Sequence, residues 1–224
     1  MENIVISIGG SVILSDDADA SYFHNLNKLL QKFISKYKIF LIVGGGKKAR
    51  KMIKQGREQG LSERELDQIG INVTRENAKI LTNKIGNTNK KIPESTDHAK
   101  ITEEKIVIMG GTTPGHSTDM VGAELAEKTD AVKYIIATNV DGVYDKDPNK
   151  FQDAKQIKEI SIKQLIDEHG TDWSTAGKNV VIDGPALEII LKSKISTYVL
   201  NGKKLDELEK VLTNQSFNGT IIKV

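Results

Sequence analysis

Ile39-Phe40-Leu41-Ile42-Val43-Gly44-Gly45-Gly46-Lys47-Lys48-Ala49-Arg50 sets an unbroken apolar run against consecutive glycines and then a basic segment. An apolar run without alternation fits a strand covered on both faces, because a half-exposed strand would alternate with polar residues. The glycines end the strand, and Lys47 to Gln59 reads as the helix that follows. The same unit stands at the start of the chain. There Ile4-Val5-Ile6-Ser7-Ile8 runs into Gly9-Gly10-Ser11, and Tyr22, Phe23, Leu26, Leu29, Leu30, Phe33, Ile34 and Tyr37 then recur at helical spacing. It returns at Ile106-Val107-Ile108-Met109 before Gly110-Gly111.

Between these units, Ser62-Glu63-Arg64-Glu65 has the form of a capping box and opens a helix carried by Leu66, Ile69, Val73, Ile80 and Leu81 as far as Gly86. Residues 87–104 are polar and weakly periodic and read as a loop with room for one short helix or strand. Tyr134 to Thr138 reads as a strand, Ser161 to Glu168 and Pro185 to Lys194 as helices, Thr197 to Leu200 as a strand, Leu205 to Leu212 as a helix and Thr220 to Val224 as a last strand. Alternation of strand and helix predicts an α/β fold with a mainly parallel central sheet and helices on both faces, since each parallel connection needs a crossover. Ligands of such sheets sit beyond the carboxyl ends of the strands, where these glycines fall.

The chain has 224 residues with 32 Lys+Arg against 30 Asp+Glu, so no global field selects nucleic acid or an anionic membrane. Cysteine is absent, which removes disulfides, thiolate metal sites and cysteine nucleophiles. No apolar run reaches the length of a membrane span and no secretory signal is visible, which makes the cytoplasm the expected location.

Gly9-Gly10-Ser11 lets backbone amides converge on an anion, with a hydroxyl beside them. Gly44-Gly45-Gly46 does the same at a helix N-terminus, and Lys47 and Arg50 lie in its first turn within reach of a phosphate. Neither stretch is a Walker A loop or a dinucleotide fingerprint. For any one pair of glycines a tight turn is an equal explanation; three such ends favour phosphate binding. Gly111-Thr112-Thr113-Pro114-Gly115-His116-Ser117-Thr118-Asp119 collects hydroxyls before a helix that begins near Asp119, as a phosphorylated acceptor would need. Asp119 either caps that helix or organises Mg²⁺ or cations beside phosphates. Thr138 to Pro148 suits a purine pocket with ribose contacts, and its Asp141-Gly142 is also a hairpin signal. Asp67 shares a helical stripe with Gly70 and Thr74 and could accept hydrogen bonds from a sugar, although a surface carboxylate needs no explanation.

Ile8-Gly9-Gly10-Ser11, Val43 to Arg50, Gly110 to Asp119 and Thr138 to Pro148, in this order and spacing, resemble the amino-acid kinase superfamily, specifically its archaeal-type UMP kinases. Asp67 to Ala78 and Asn218-Gly219-Thr220 are similar to that family as well, so the resemblance spans nearly the whole chain. It implies a single domain over residues 1–224, a three-layer αβα sandwich of the amino-acid kinase fold. Within it, about residues 1–130 form the acceptor-binding half and about residues 131–224 the ATP-binding half. It further implies a cytoplasmic homohexamer that transfers the γ-phosphoryl of Mg-ATP to UMP in pyrimidine nucleotide synthesis, with no nucleic acid or membrane partner and Mg²⁺ arriving with ATP rather than on a protein metal site.

Carried over residue by residue, Gly9, Gly10, Ser11, Gly46 and Arg50 would face the ATP phosphates, and Thr138, Asn139, Tyr144 and Asp147 would frame its adenosine. Gly45, Asp67, Thr112, Thr113, Pro114, Gly115, His116, Ser117 and Thr118 would hold UMP. Asp119 matches the organising aspartate, with Arg50 and Lys47 as catalytic cations, and Arg75 serves either UMP or a subunit contact. One position departs from the wider superfamily, where a first-strand lysine often precedes the glycines. Here it is Ser7, which leaves Lys47 and Lys178 as candidates for that charge. The competing expectations are a sibling kinase acting on isopentenyl phosphate or an amino acid, and a nucleotide-binding protein without turnover.

Overall fold

The structure, a computed structural model, describes residues 1–13, 20–171 and 182–224. Lys178 lies outside the described residues. In chain order, β1 (Glu2–Ile8) leads into a single turn, α1 (Gly10–Ile13), and then α2 (Ala20–Phe33), β2 (Tyr37–Val43) and α3 (Gly46–Glu58). α4 (Glu63–Thr82), α5 (Thr96–Ile101), β3 (Ile106–Met109), α6 (Thr118–Lys128) and β4 (Lys133–Thr138) follow. The remainder is β5 (Val143–Tyr144), β6 (Gln156–Ile157), β7 (Glu159–Ser161), α7 (Ile162–His169), α8 (Gly184–Ser193), β8 (Thr197–Asn201), α9 (Leu205–Leu212) and β9 (Gly219–Lys223).

The sheet has seven strands in the order β3-β2-β1-β4-β8-β9-β7. β3, β2, β1, β4 and β8 pair in parallel, β9 runs antiparallel to β8, and β7 pairs in parallel with β9. Alternate residues of each strand feed opposite faces. Val5, Phe40, Ile42, Val107 and Tyr134 point to a core closed by α5, α6, α7 and α8. Ile4, Ile6, Leu41, Ile108 and Ile135 point to a core closed by α1, α2, α4 and α9. The strands around β1 are therefore apolar on both sides, as the run at Ile39 to Val43 requires.

The capping box at Ser62 is present: its Oγ accepts from the Glu65 amide at 3.4 Å and the Glu65 carboxylate accepts from the Ser62 amide at 2.9 Å. Several features differ from the sequence reading, most of them at an element's end. Tyr37 is the first residue of β2 and not the last of a helix. Its ring stacks on Phe33 with centroids 6.3 Å apart, so a helical spacing persists across a turn that ends the helix. α4 stops at Thr82, short of Gly86, and Ser161 caps α7 rather than belonging to it. Asp141-Gly142 makes no hairpin between β4 and the strand after it. β5 pairs instead with β6, whose residues are Gln156–Ile157.

Candidate active site

The glycine ends of β1 and β2 are pressed onto each other. An added Cβ at Gly10 would lie 2.4 Å from the Gly46 nitrogen and 2.5 Å from the Gly44 oxygen, and one at Gly44 would lie 2.9 Å from the Gly10 nitrogen. Gly46 also takes φ +64°, a left-handed conformation that costs glycine nothing. Asn77, buried on α4, donates to the Gly44 carbonyl at 2.9 Å and holds the crossing from below. α3 starts here with no side-chain cap, so its first-turn amides remain available to an anion.

A cavity of about 720 Å³ opens above this crossing. Gly9, Gly10, Ser11, Gly46, Arg50, Thr138, Asn139, Tyr144 and Asp147, the whole set assigned to ATP, line it, together with Gly45, Thr118 and Asp119. Arg50 is exposed and has neither an ion-pair nor a hydrogen-bond partner among the described residues, which leaves its guanidinium free for phosphate. Lys47 sits on the same turn, exposed, and does not line the cavity. Lys146 does, and it is paired with Asp153 at 2.6 Å.

Asp119 does not cap α6. That position belongs to Ser117, whose Oγ accepts from the Met120 amide at 2.9 Å. The Asp119 carboxylate is thus left for the cavity, where burial first and the neighbouring Asp183 second raise its pKa to about 8. A carboxyl held so far above its ordinary range lacks compensating positive charge. Asp183 caps α8 through the Ala186 amide at 3.0 Å and accepts a short hydrogen bond from Ser117 Oγ, so the two helix N-termini are tied together. The sequence reading passed over Asp183. Its signal was there: an aspartate before Gly184-Pro185 marks a capped helix start, and only the fold brings that start beside Asp119.

Of the residues assigned to the acceptor, Gly45 and Thr118 line this cavity; Asp67 and Thr112, Thr113, Pro114, Gly115, His116 and Ser117 do not, and the loop from Thr112 to Gly115 is held against α4 as a wall beside it. α4 organises that wall. Asp67 Oδ2 accepts from the Gly115 amide at 2.7 Å, and Thr74 Oγ1 accepts from the Gly111 amide at 2.7 Å. Arg75 donates to the Gly111 and Thr112 carbonyls, both at 3.0 Å, and meets Glu94 at 3.4 Å. Thr74 joins the two parts, since its Cγ2 lies 3.6 Å from the Cβ position of Gly45. Thr112 Oγ1 and His116 Nδ1 are buried without a hydrogen-bond partner, polar atoms of the kind a bound ligand satisfies.

The segment from Thr138 to Pro148 is braced from behind. Asp141 binds Lys204 at 2.8 Å and Asn201 at 3.0 Å, contacts that outweigh its burial and hold its pKa below the usual carboxylate range. Thr220 Oγ1 accepts from the Val143 amide at 2.8 Å, which gives Asn218-Gly219-Thr220 a role that local sequence could not show.

A sequence profile of the amino acid kinase family matches residues 2–201. The chain belongs to the amino acid kinase family. A uridylate kinase of Methanobrevibacter smithii is 40% identical over 222 residues, and one of Methanocaldococcus jannaschii 42% identical over 224, each alignment covering 98% of both chains. The crystal structure of uridylate kinase from Archaeoglobus fulgidus superposes with a TM-score of 0.85 at 39% identity, covering 99% of this chain and 100% of that one. Within this amino acid kinase fold, the crossing of β1 and β2 and the wall held by α4 lie at the carboxyl ends of the parallel strands, on the side expected for ligands.

Proposed function

We propose that this chain is an ATP-dependent UMP kinase, moving the γ-phosphoryl of ATP onto UMP to give UDP and ADP. The observation that carries this is the single cavity in which every residue assigned to ATP meets Asp119 and Thr118, with the Asp67 wall alongside. The relatives near 40% identity over almost their whole length, named uridylate kinase, support the same acceptor.

The chemistry suits what the site offers. The nucleophile is a phosphate oxygen whose second pKa of ~6 leaves it ionised at neutral pH, so no general base is required. Rate enhancement then rests on holding two polyanions in line and neutralising their oxygens. Glycine amides at Gly10 and Gly46 and the free Arg50 guanidinium act on the donor phosphates, and Thr112 to Thr118 with Asp67 act on the nucleotide that receives. Gly9, Gly10, Ser11, Gly46 and Arg50 all belong to the half assigned to the acceptor, so the donor phosphates bridge both halves. Asp119 aligns the positive groups around the transferring phosphoryl, with Asp183 beside it.

No group of three or more His, Cys, Asp or Glu stands ready to hold a metal among the described residues. The pair Asp119 and Asp183 fits Mg²⁺ that arrives on ATP, because this ion takes one or two carboxylates and completes its shell with phosphate and water. When bound it neutralises charge between the phosphates. The resemblance alone supports the cytoplasm and a homohexamer; sedimentation of the protein tests the oligomeric state.

The test is ADP release with UMP, CMP, isopentenyl phosphate and acetylglutamate as acceptors. UMP is expected to exceed the others by a wide margin. A preference for another acceptor, or tight ATP and UMP binding without UDP, overturns the reading.

A further inference from the structure

α6 presents both Thr118 and Asp119 to the cavity, and its first turn rests on two hydroxyls buried in an otherwise apolar sheet face. Ser7 of β1 is 3% exposed and Tyr134 of β4 is 0% exposed. The Tyr134 hydroxyl donates to the Asp119 carbonyl at 2.9 Å. Its one proton is thereby committed, so at the 2.9 Å contact with Ser7 the tyrosine oxygen accepts and the Ser7 hydroxyl donates. A longer contact of 3.4 Å joins Ser7 to the Thr118 carbonyl.

Packing alone does not ask for these groups. Phenylalanine at 134 and alanine at 7 would fill the same space without two hydroxyls to desolvate. The helix also makes room for them. A Cβ at Gly122 would lie 2.5 Å from Ser7 Oγ and 2.6 Å from the Tyr134 hydroxyl oxygen, so only glycine lets this turn settle onto the pair.

We propose that Tyr134, oriented by Ser7, is a positioning residue that fixes the first turn of α6 so that Asp119 faces the phosphates during transfer. The inference rests on the phosphotransfer reading above. Tyr134 touches neither reactant; it acts through the backbone of Asp119. A buried hydrogen-bonded chain of this kind sets one geometry for the turn, and catalysis by positioning loses much of its rate when the positioned group moves by a fraction of an ångström.

The test compares Tyr134→Phe, Ser7→Ala and the double variant with the wild-type protein. Tyr134→Phe keeps the ring and the packing, so its thermal midpoint is expected to stay within a few degrees of wild type. Its kcat is expected to fall about tenfold or more. The KM for UMP changes by less than about threefold, since Thr118 rides on the same turn, and half-saturating Mg²⁺ rises at least about threefold. Ser7→Ala has a smaller effect in the same direction, and adding it to Tyr134→Phe costs less than it does alone, because Ser7 acts chiefly through the tyrosine and only by the longer contact on the Thr118 carbonyl. Calorimetry of ATP binding with and without Mg²⁺ supplies a readout that needs no acceptor: the gain in affinity given by Mg²⁺ shrinks in Tyr134→Phe. A folded Tyr134→Phe protein with wild-type turnover and Mg²⁺ response, or independent additive effects at the two positions, overturns the proposal. If the wild-type protein makes no UDP, the acceptor assignment fails while the calorimetric comparison still decides the role of Tyr134.

Discussion

On the proposed reading, the donor phosphates meet mostly backbone and the acceptor meets mostly side chains. At the crossing of Gly10 with Gly44 and Gly46, atoms lie so close that no side chain fits, and the surface presented there is the peptide itself. Beside the cavity, Asp67, Thr74 and Arg75 reach from one helix to hold the loop at Gly111 to Gly115. Backbone contacts of this kind fail completely when disturbed, whereas a wall of several side chains yields by degrees. That contrast sets the order of the expected effects.

Gly10→Ala places its Cβ against the Gly46 nitrogen and forces the crossing apart. ATP binding should be lost, by about a hundredfold or more in affinity, with a visible drop in thermal midpoint; an alanine variant with normal ATP affinity would show that the crossing does not form the phosphate site. Asp119→Asn should lower kcat about 10²–10³-fold. Its stability should move the other way at high pH. Because burial and Asp183 raise the Asp119 carboxyl to about 8, the folded protein binds that proton more tightly than the unfolded chain. The contribution is complete below pH ~4 and disappears as pH rises through the folded value. The substrate-free wild-type protein should therefore lose stability toward alkaline pH, and Asp119→Asn should flatten that slope in thermal melts.

Arg50→Ala, a loss on the donor side by way of a side chain, should cost about 10–100-fold in kcat/KM, the range for a charge-assisted contact to phosphate. The smallest effect belongs to the acceptor wall. Asp67→Asn should raise the KM for UMP about tenfold and leave the affinity for ATP unchanged. Equal damage to both nucleotides would break the division between the two sides.

Much of this was legible in the sequence because glycine ends of buried strands are local signals. Gly9-Gly10, Gly44 to Gly46 and the alternation around them required only neighbours along the chain. The capping box at Ser62 was local too. What stayed hidden depends on contacts between distant segments. The pairing of β5 with Gln156–Ile157 joins two-residue strands too short to show a periodicity, across the turn at Asp147-Pro148-Asn149, and the antiparallel β9 next to β8 follows from sheet order rather than from composition. Asp183 was readable as a helix cap and unreadable as a neighbour of Asp119. Arg75, left open between acceptor and subunit, is spent on the carbonyls of Gly111 and Thr112. Ser7 appeared from the sequence to be a missing cation; in the fold it is a hydroxyl beneath Asp119's helix.

The most direct measurement is a crystal structure of the protein with UMP and a non-hydrolysable ATP analogue in Mg²⁺. The analogue's phosphates are expected on the amides of Gly10 and Gly46 beside Arg50, with the UMP phosphate against Thr112 to Thr118 and its sugar at Asp67. Nucleotide phosphates bound away from the glycine crossing, or UMP seated outside the α4 wall, would refute the division between a backbone phosphate site and a side-chain acceptor wall.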